Sequence, residues 1–284
     1  MEAVGVWVGE EVLHLVRMRR ERRGCSLVGQ EVVAVPPGAV VQGEVRAVGD
    51  LAQLLQGRLR RHDRVVMALD ARAVLVRLVV LPVASHEEAE RALLLNWQRY
   101  LPVPKEELVY QVFSQSGRER HQREVVVVGC RRETSYAIRD LFRSAGVSLA
   151  ALDIQPLCLW RAFHWLGAAP QRTFLAVDLA QNPRSLIVYR EASVPVLSRV
   201  IPAGVDPRPE VERAIRFFML QSRQENLEEA VVVPPDEGDG SEAVEVEEAL
   251  AEAGLGVVRL DPAALPLRPS LLTAYGAALR GCGR

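Results

Sequence analysis

One strand and helix order is written twice along this chain, and the repetition limits the possible folds more than any other feature. Alternating apolar positions predict strands at residues 4–8, 11–18 and 26–35, with the basic stretch 17–23 as a hairpin turn. An amphipathic stretch at 50–59 and a buried strand at 65–69 follow. The same β-β-β-α-β order returns with strands at 173–178, 185–189 and 194–201, a helix over 209–223 and a strand at 229–233. That helix sets Val211, Ala214, Ile215 and Phe218 on one face. A helix at 242–253, a strand at 256–260 and a helix at 270–279 complete the second unit. The first is completed by a strand at 149–154 and a helix at 156–165.

The segment between the two parts of the first unit has its own β-α-β-β-α order and reads as an inserted subdomain. Ser85 with Glu88 three residues on forms a capping box, and the helix it starts stops where Leu101 precedes Pro102. A second helix places Ile138, Leu141, Phe142 and Ala145 on one face and ends at Gly146. The expected partition is a first half of 1–70 plus 147–170, an insertion of 71–146, and a second half of 171–284.

Composition removes several function classes. With 35 basic and 36 acidic residues the net charge of −1 offers no field for nucleic acid. The longest apolar run, 73–84, contains Arg77 and Pro82, so no membrane span is expected. Glu2, Glu10 and Glu11 stand where a secretory leader carries positive charge, which predicts a cytoplasmic protein. The four cysteines lack paired spacing and read as reduced, packed thiols. No GxxxxGK[ST], HExxH or GxSxG motif occurs, and the five histidines are dispersed, so no metal site is expected. The basic clusters 17–23 and 58–64 contain Glu21 and Asp63 without interleaved aromatics and read as solvated turns. Trp97, Trp160 and Trp165 sit at packing positions.

Particular stretches carry a resemblance. The run RLVVLPVASHEEAERALLLNWQRYLPVPKEELVYQV (77–112), then FRSAGVSLAALDIQPLCLWRAF, FLAVDLAQNPRSLIVYREASVPVLSRVIPAG, AIRFFMLQ and the closing AYGAALRG resemble, in order, segments of PilM proteins of type IV pilus assembly. That family is similar to the cell-division protein FtsA. The resemblance implies an α/β, actin-like (ribonuclease H-like) duplicated fold with an inserted subdomain. It also implies a cytoplasmic, non-catalytic adaptor of pilus or competence pilus assembly, docking the N-terminal tail of a PilN-like single-pass membrane protein. Membrane association would be indirect, and the pilus motor ATPase is a further expected partner. The alternatives are an active actin-like ATPase, or the cytoplasmic part of a type II secretion component. Such components usually continue into a membrane span, and none is read here before Arg284.

An actin-type cleft cradles ATP phosphates on two turns, with an Asp organising hydrated magnesium. The first turn keeps Gly9, but Trp7 stands where the family has Asp, and Glu10 and Glu11 add negative charge. The second keeps Asp178, with Ala180 in place of the expected glycine. Asp178 reads either as a strand-end residue satisfied by local amides or as a magnesium organiser. On the adenosine side a Gly-Gly turn is replaced by Pro234, Pro235, Asp236 and Glu237. The helical segment expected after Gly204 is missing, so the small subdomain of the second half is reduced or absent. No cofactor and no catalysis are expected, with weak ATP and magnesium binding as the alternative.

By resemblance the partner's tail lies between the insertion and the body of the first half. The strand at 74–81 and helix at 87–100 carry more apolar residues than one buried face needs. Ala89, Leu93, Trp97 and Tyr100 form the core stripe, leaving Leu78, Val80, Leu94 and Leu101 as candidate partner contacts. The alternative for Leu94 and Leu101 is packing against the first half.

Overall fold

Strand alternation sets the layering. In β1 (Glu2–Val8), Val4, Val6 and Val8 point to one side and Ala3 and Trp7 to the other, and all are buried, so both faces of its sheet are covered. The computed structural model describes residues 2–22, 24–83, 85–116, 121–191, 193–221, 226–237 and 240–283. Arg23 of the expected basic turn, Ala84, the helix end at Arg223 and residues 238–239 lie outside them.

The first half supplies β1, β2 (Val12–Arg20), β3 (Cys25–Ala34), a short hairpin of β4 (Val40–Val41) and β5 (Glu44–Val45), α1 (Val48–Leu55) and β6 (Arg64–Leu69). A three-stranded sheet then interrupts it, formed by β7 (Val74–Leu81), β8 (Leu108–Ser116) and β9 (Arg123–Arg131), with α2 (His86–Leu95) and α3 (Trp97–Tyr100) before β8. The chain returns through α4 (Arg132–Ser144), β10 (Leu149–Ile154) and α5 (Gln155–Trp165). The second half contains β11 (Phe174–Asp178), β12 (Arg184–Arg190), β13 (Val194–Ile201), α6 (Pro207–Gln221), β14 (Glu229–Val233), α7 (Ser241–Glu252), β15 (Gly256–Arg259) and α8 (Leu272–Cys282).

The duplication is explicit in the sheets. The order β3-β2-β1-β6-β10 of the first matches β13-β12-β11-β14-β15 of the second, each with three antiparallel strands followed by two parallel ones. Outside the first sheet, α1 and α4 cover Val4, Val6 and Val65; outside the second, α6 and α7 cover Leu175, Val177 and Val232. Between the sheets lie α5 and α8, sharing one core with Trp7, Val66, Phe174, Ile187 and Val231. β13 is followed within six residues by α6, so the small subdomain of the second half is absent from the described residues.

Several expectations shift. The expected partition ends the insertion at Gly146, but the apolar face of α4, Ile138, Leu141 and Phe142, packs with Leu51 and Leu55 of α1. It is the first half's counterpart of α7, and the insertion closes at the end of β9. The expected helix 87–100 breaks at Asn96, whose side-chain amide donates to the Ala92 carbonyl at 3.0 Å. The Ser85–Glu88 capping box forms as expected. The stretch 17–23 is not simply a solvated turn, because β2 runs to Arg20 and Arg17 pairs with Asp63 at 2.7 Å and Glu2 at 3.1 Å.

The central layer depends on close backbone approach. A Cβ on Gly5 would lie 1.8 Å from the Ala274 carbonyl oxygen, and one on Gly276 would lie 1.8 Å from that of Cys158. Either substitution forces α8 away from β1 or α5. We expect Gly5→Ala and Gly276→Ala each to lower stability by about 3 kcal/mol or more. Gly57→Ala, in open space at φ 77°, should cost only about 1 kcal/mol. Urea unfolding midpoints of the three variants check this.

Candidate functional site

Trp7 is on the inward face of β1, so its ring enters the layer between the two halves. It stacks on its cross-strand partner His14 with centroids 5.1 Å apart. The turn that follows is tight, with the Gly9 amide donating to the Val12 carbonyl at 2.8 Å. A Cβ on Gly9 would come within 2.5 Å of the Trp7 ring, so the glycine serves the tryptophan. Burial pushes the His14 imidazole down to about 4, against the opposing effects of Asp236 and of a backbone hydrogen bond to Ser270. It is neutral at pH 7. Glu10 accepts from the Gln42 amide at 2.7 Å and from Arg72 at 2.5 Å, while Arg72 also grips Asp70 at 2.9 and 3.0 Å.

Asp178 closes β11 and is fully enclosed. It accepts from the Ala180 amide at 3.1 Å and from the Gln155 side-chain amide at 3.5 Å. Burial pushes its carboxyl up to about 7, with the Ala180 and Gln155 donors pulling the other way and Asp236 adding to the rise. Gln155 also donates to the Ser185 hydroxyl at 3.3 Å and accepts from the Ala71 amide at 3.1 Å, tying both halves to the base of the insertion. After the two prolines, Asp236 accepts from the Ser270 amide at 2.8 Å and its hydroxyl at 2.5 Å. A nucleotide needs open amides for its phosphates and an ionised carboxylate for hydrated magnesium. Here the indole lies against the first turn, and the carboxyl of the second is enclosed and held above the ordinary carboxylate range by burial. Among the described residues, no group of three or more His, Cys, Asp or Glu gathers to hold a metal. At the mouth remains a solvent-open depression of about 890 Å³, edged by Glu10, Glu44, Arg46, Arg72 and Arg131.

The candidate partner contacts do not form one surface. In β7, Val79 and Leu81 face α2 and share a core with Ala89, Leu93, Trp97, Leu101, Val125 and Val127. Leu78 and Val80 alternate to the opposite face. Leu101 is buried in the insertion's own core, so it lines no groove and does not pack on the first half. Leu94 is half-buried against that same core, while Leu95 beside it is exposed. Tyr100 of the expected stripe is half-buried.

The face carrying Leu78 and Val80 has a coherent composition. Leu78 and Phe113 flank Val126 across three strands, and Val109 lies farther down, opposite Cys130. At its lower end Val74, Val76, Val128 and Cys130 pack on the first-half core. At its upper end Val80 and Phe113 are each 51% exposed. The buried pair Arg190–Glu124, at 2.7 Å, pins this sheet to the second half. Phe113 and Val109 were readable from the alternation within 108–113, a signal that the larger apolar surplus of 74–81 and 87–100 masks.

A family model described as type IV pilus assembly protein PilM matches residues 5–195. The structure of a PilM-PilN type IV pilus biogenesis complex is similar at a TM-score of 0.76 and 24% identity, covering 100% of this chain and 99% of that one. The cytoplasmic domain of EpsL, an inner-membrane component of the Vibrio cholerae type II secretion system, scores 0.55 at 13% identity, covering 89% and 95%. The ethanolamine utilization protein EutJ of Carboxydothermus hydrogenoformans scores 0.52 at 16%, covering 98% and 89%. The fold is the actin-like duplicated α/β fold.

The two buried titratable groups oppose each other. Between about 4 and 7 folded Asp178 holds a proton that the unfolded chain has released, so its contribution to stability is lost as pH rises through that window. Between about 4 and 6.5 unfolded His14 binds a proton that the folded state refuses, so its contribution rises with pH. We expect Asp178→Asn to gain on the parent by about 4 kcal/mol between pH 4 and pH 8. Urea titrations at both pH values measure it, and a parallel pair of curves would show that the carboxyl is ionised throughout.

Proposed function

The chain belongs to the family of the type IV pilus assembly protein PilM, and from that premise we propose that it is a non-catalytic adaptor docking the cytoplasmic tail of a PilN-like membrane protein. The observation that carries the reading is the pairing of a filled cleft with an open apolar face. Trp7 and the sealed Asp178 suit a rigid joint between halves rather than a nucleotide switch. Val80, Phe113 and Leu78 offer an apolar wall, closed at one end by the first-half core, on which an extended tail can bury a few side chains. An adaptor of this kind is cytoplasmic and reaches the inner face of the membrane through its partner. Among the described residues no helix is long and apolar enough to cross a membrane. Likeness to a PilM that was solved together with PilN supports this choice of partner.

Two measurements test the proposal. If the cleft holds no nucleotide, magnesium-ATP leaves the melting temperature unchanged. Binding at 100 times the dissociation constant would stabilise by about 2.7 kcal/mol, a shift of several degrees for a chain of this size. A rise with ATP but not AMP would make the protein a nucleotide binder. For the docking face, Phe113→Glu should preserve the circular dichroism spectrum. It should also weaken capture of the partner's N-terminal peptide by about 2 kcal/mol, roughly thirtyfold, in fluorescence anisotropy. Leu94→Glu, on the opposite face, should bind normally if folded. Unchanged binding by folded Phe113→Glu would place the tail elsewhere.

A further inference from the structure

The basic stretches 17–23 and 58–64 are far apart in sequence, yet the fold sets them side by side. In the first sheet β1 starts between them, with Glu2 the register partner of Arg19 and Ala3 that of Arg64. The Glu2 carboxylate accepts from Arg17 and Arg19 at 3.1 Å and from Arg60 at 3.5 Å, while buried Asp63 accepts from Arg17 at 2.7 Å. These inner ties carry an outer layer of six exposed arginines: Arg19, Arg20, Arg22, Arg60, Arg61 and Arg64. Among the described residues of the two stretches, Glu21 is the one exposed acid, and Arg58 is matched by Glu31 at 2.7 Å. With Arg17 included, seven arginines face the three acids Glu2, Glu21 and Asp63, a local excess of four positive charges on a chain whose net charge is −1.

An aromatic ring stands at the edge of this face. Helix α5 starts at the mouth of the seam, where Gln155 touches Ala71 and Asp178, and ends at Trp165, so its last turn is at the opposite end. Trp165 is 49% exposed, and its ring borders the β2–β3 turn, 3.4 Å from where a Cβ on Gly24 would stand. Indole beside arginine suits the surface of a bilayer. The ring partitions into the headgroup region, and guanidiniums meet lipid phosphates while their stems lie along the apolar boundary.

We propose that this end of the first half binds the surface of an anionic lipid bilayer directly, through a contact separate from the docking wall. Charge selects the occupant and the half that meets it. The strand starts of the second half carry Glu228 and Glu229, with Glu191 close by, beside Arg172 and Arg190, so the positive excess is confined to the first half. The exposed end of the docking wall lies at the same end of the body: Val80 is the register partner of Glu124, which holds Arg190 near the start of β11. A tail leaving the wall there runs toward the lipid that the arginines touch. That orientation rests on the docking reading above, whereas the lipid contact itself does not.

Sedimentation of the full chain with vesicles, in the absence of any partner peptide, tests the contact independently of the docking wall. The protein should pellet with vesicles of mixed phosphatidylglycerol and phosphatidylcholine and stay in solution with phosphatidylcholine alone. Raising salt from about 50 to about 300 mM should weaken the binding tenfold or more. Arg20→Gln combined with Arg22→Gln should lower the partition coefficient about thirtyfold, at ~1 kcal/mol for each arginine near an anionic surface. Arg213→Gln combined with Arg216→Gln, an equal change of charge on exposed positions of α6, should lower it less than about threefold. Circular dichroism should be the same for all. On the anionic vesicles the tryptophan emission of the parent should move to shorter wavelength, and that of Trp165→Phe should not. The proposal is overturned if the parent does not pellet with anionic vesicles, if it pellets equally with neutral ones, if the two double variants lose binding alike, or if the emission shift is absent or persists in Trp165→Phe. Tighter binding to duplex DNA than to the vesicles at equal phosphate concentration would also overturn it, making this a nucleic-acid surface.

Discussion

Everything in this molecule hangs on two helices squeezed between two sheets. Each half ends in a helix, α5 or α8, and both are placed in the shared layer instead of covering only their own sheet. They approach as closely as backbones can, with Gly276 against the Cys158 carbonyl and Gly5 of β1 against Ala274. The buried Tyr189 hydroxyl donates to the Pro156 carbonyl at 2.6 Å and fastens the second sheet to α5. Because this seam is dense and largely apolar, relative motion of the halves would open a core instead of a water-filled cleft.

That constraint explains the chemistry at the mouth of the seam. Trp7 faces the shared layer, and its ring continues the core up to the first turn. Its surroundings fit it: His14 stacks as a neutral ring, Gly9 makes room, and Arg72 takes up Glu10 together with Asp70. The buried acid at this end of the seam, Asp178, is held by hydrogen bonds from within the protein. The polar groups at this end of the seam serve one another.

Much of this was legible in the sequence because it rests on short-range periodicity. The bounds of β7, β10, β13 and β14 coincide with the alternating or apolar runs, and Ser85 with Glu88 marks the start of α2. Trp7 was visible as a residue type, and its parity on β1 told which layer it enters. What could not be read were choices made across the fold. The amphipathic face of α4 is the same whether it packs on the insertion or on α1. The overlap of Leu101 with the insertion core depends on the break at Asn96. Likewise Glu124 and Arg190 lie 66 residues apart, and nothing local pairs them.

With α4 returned to the first half, the insertion has a simple attachment. It leaves and re-enters the body at Val74 and Cys130, which are register partners on adjacent antiparallel strands. The two points of entry are therefore about 5 Å apart. A module grafted on such a stem imposes no strain on its host, since a tight turn could bridge the same gap. Gain or loss of the inserted sheet can then be a single event in the history of the gene.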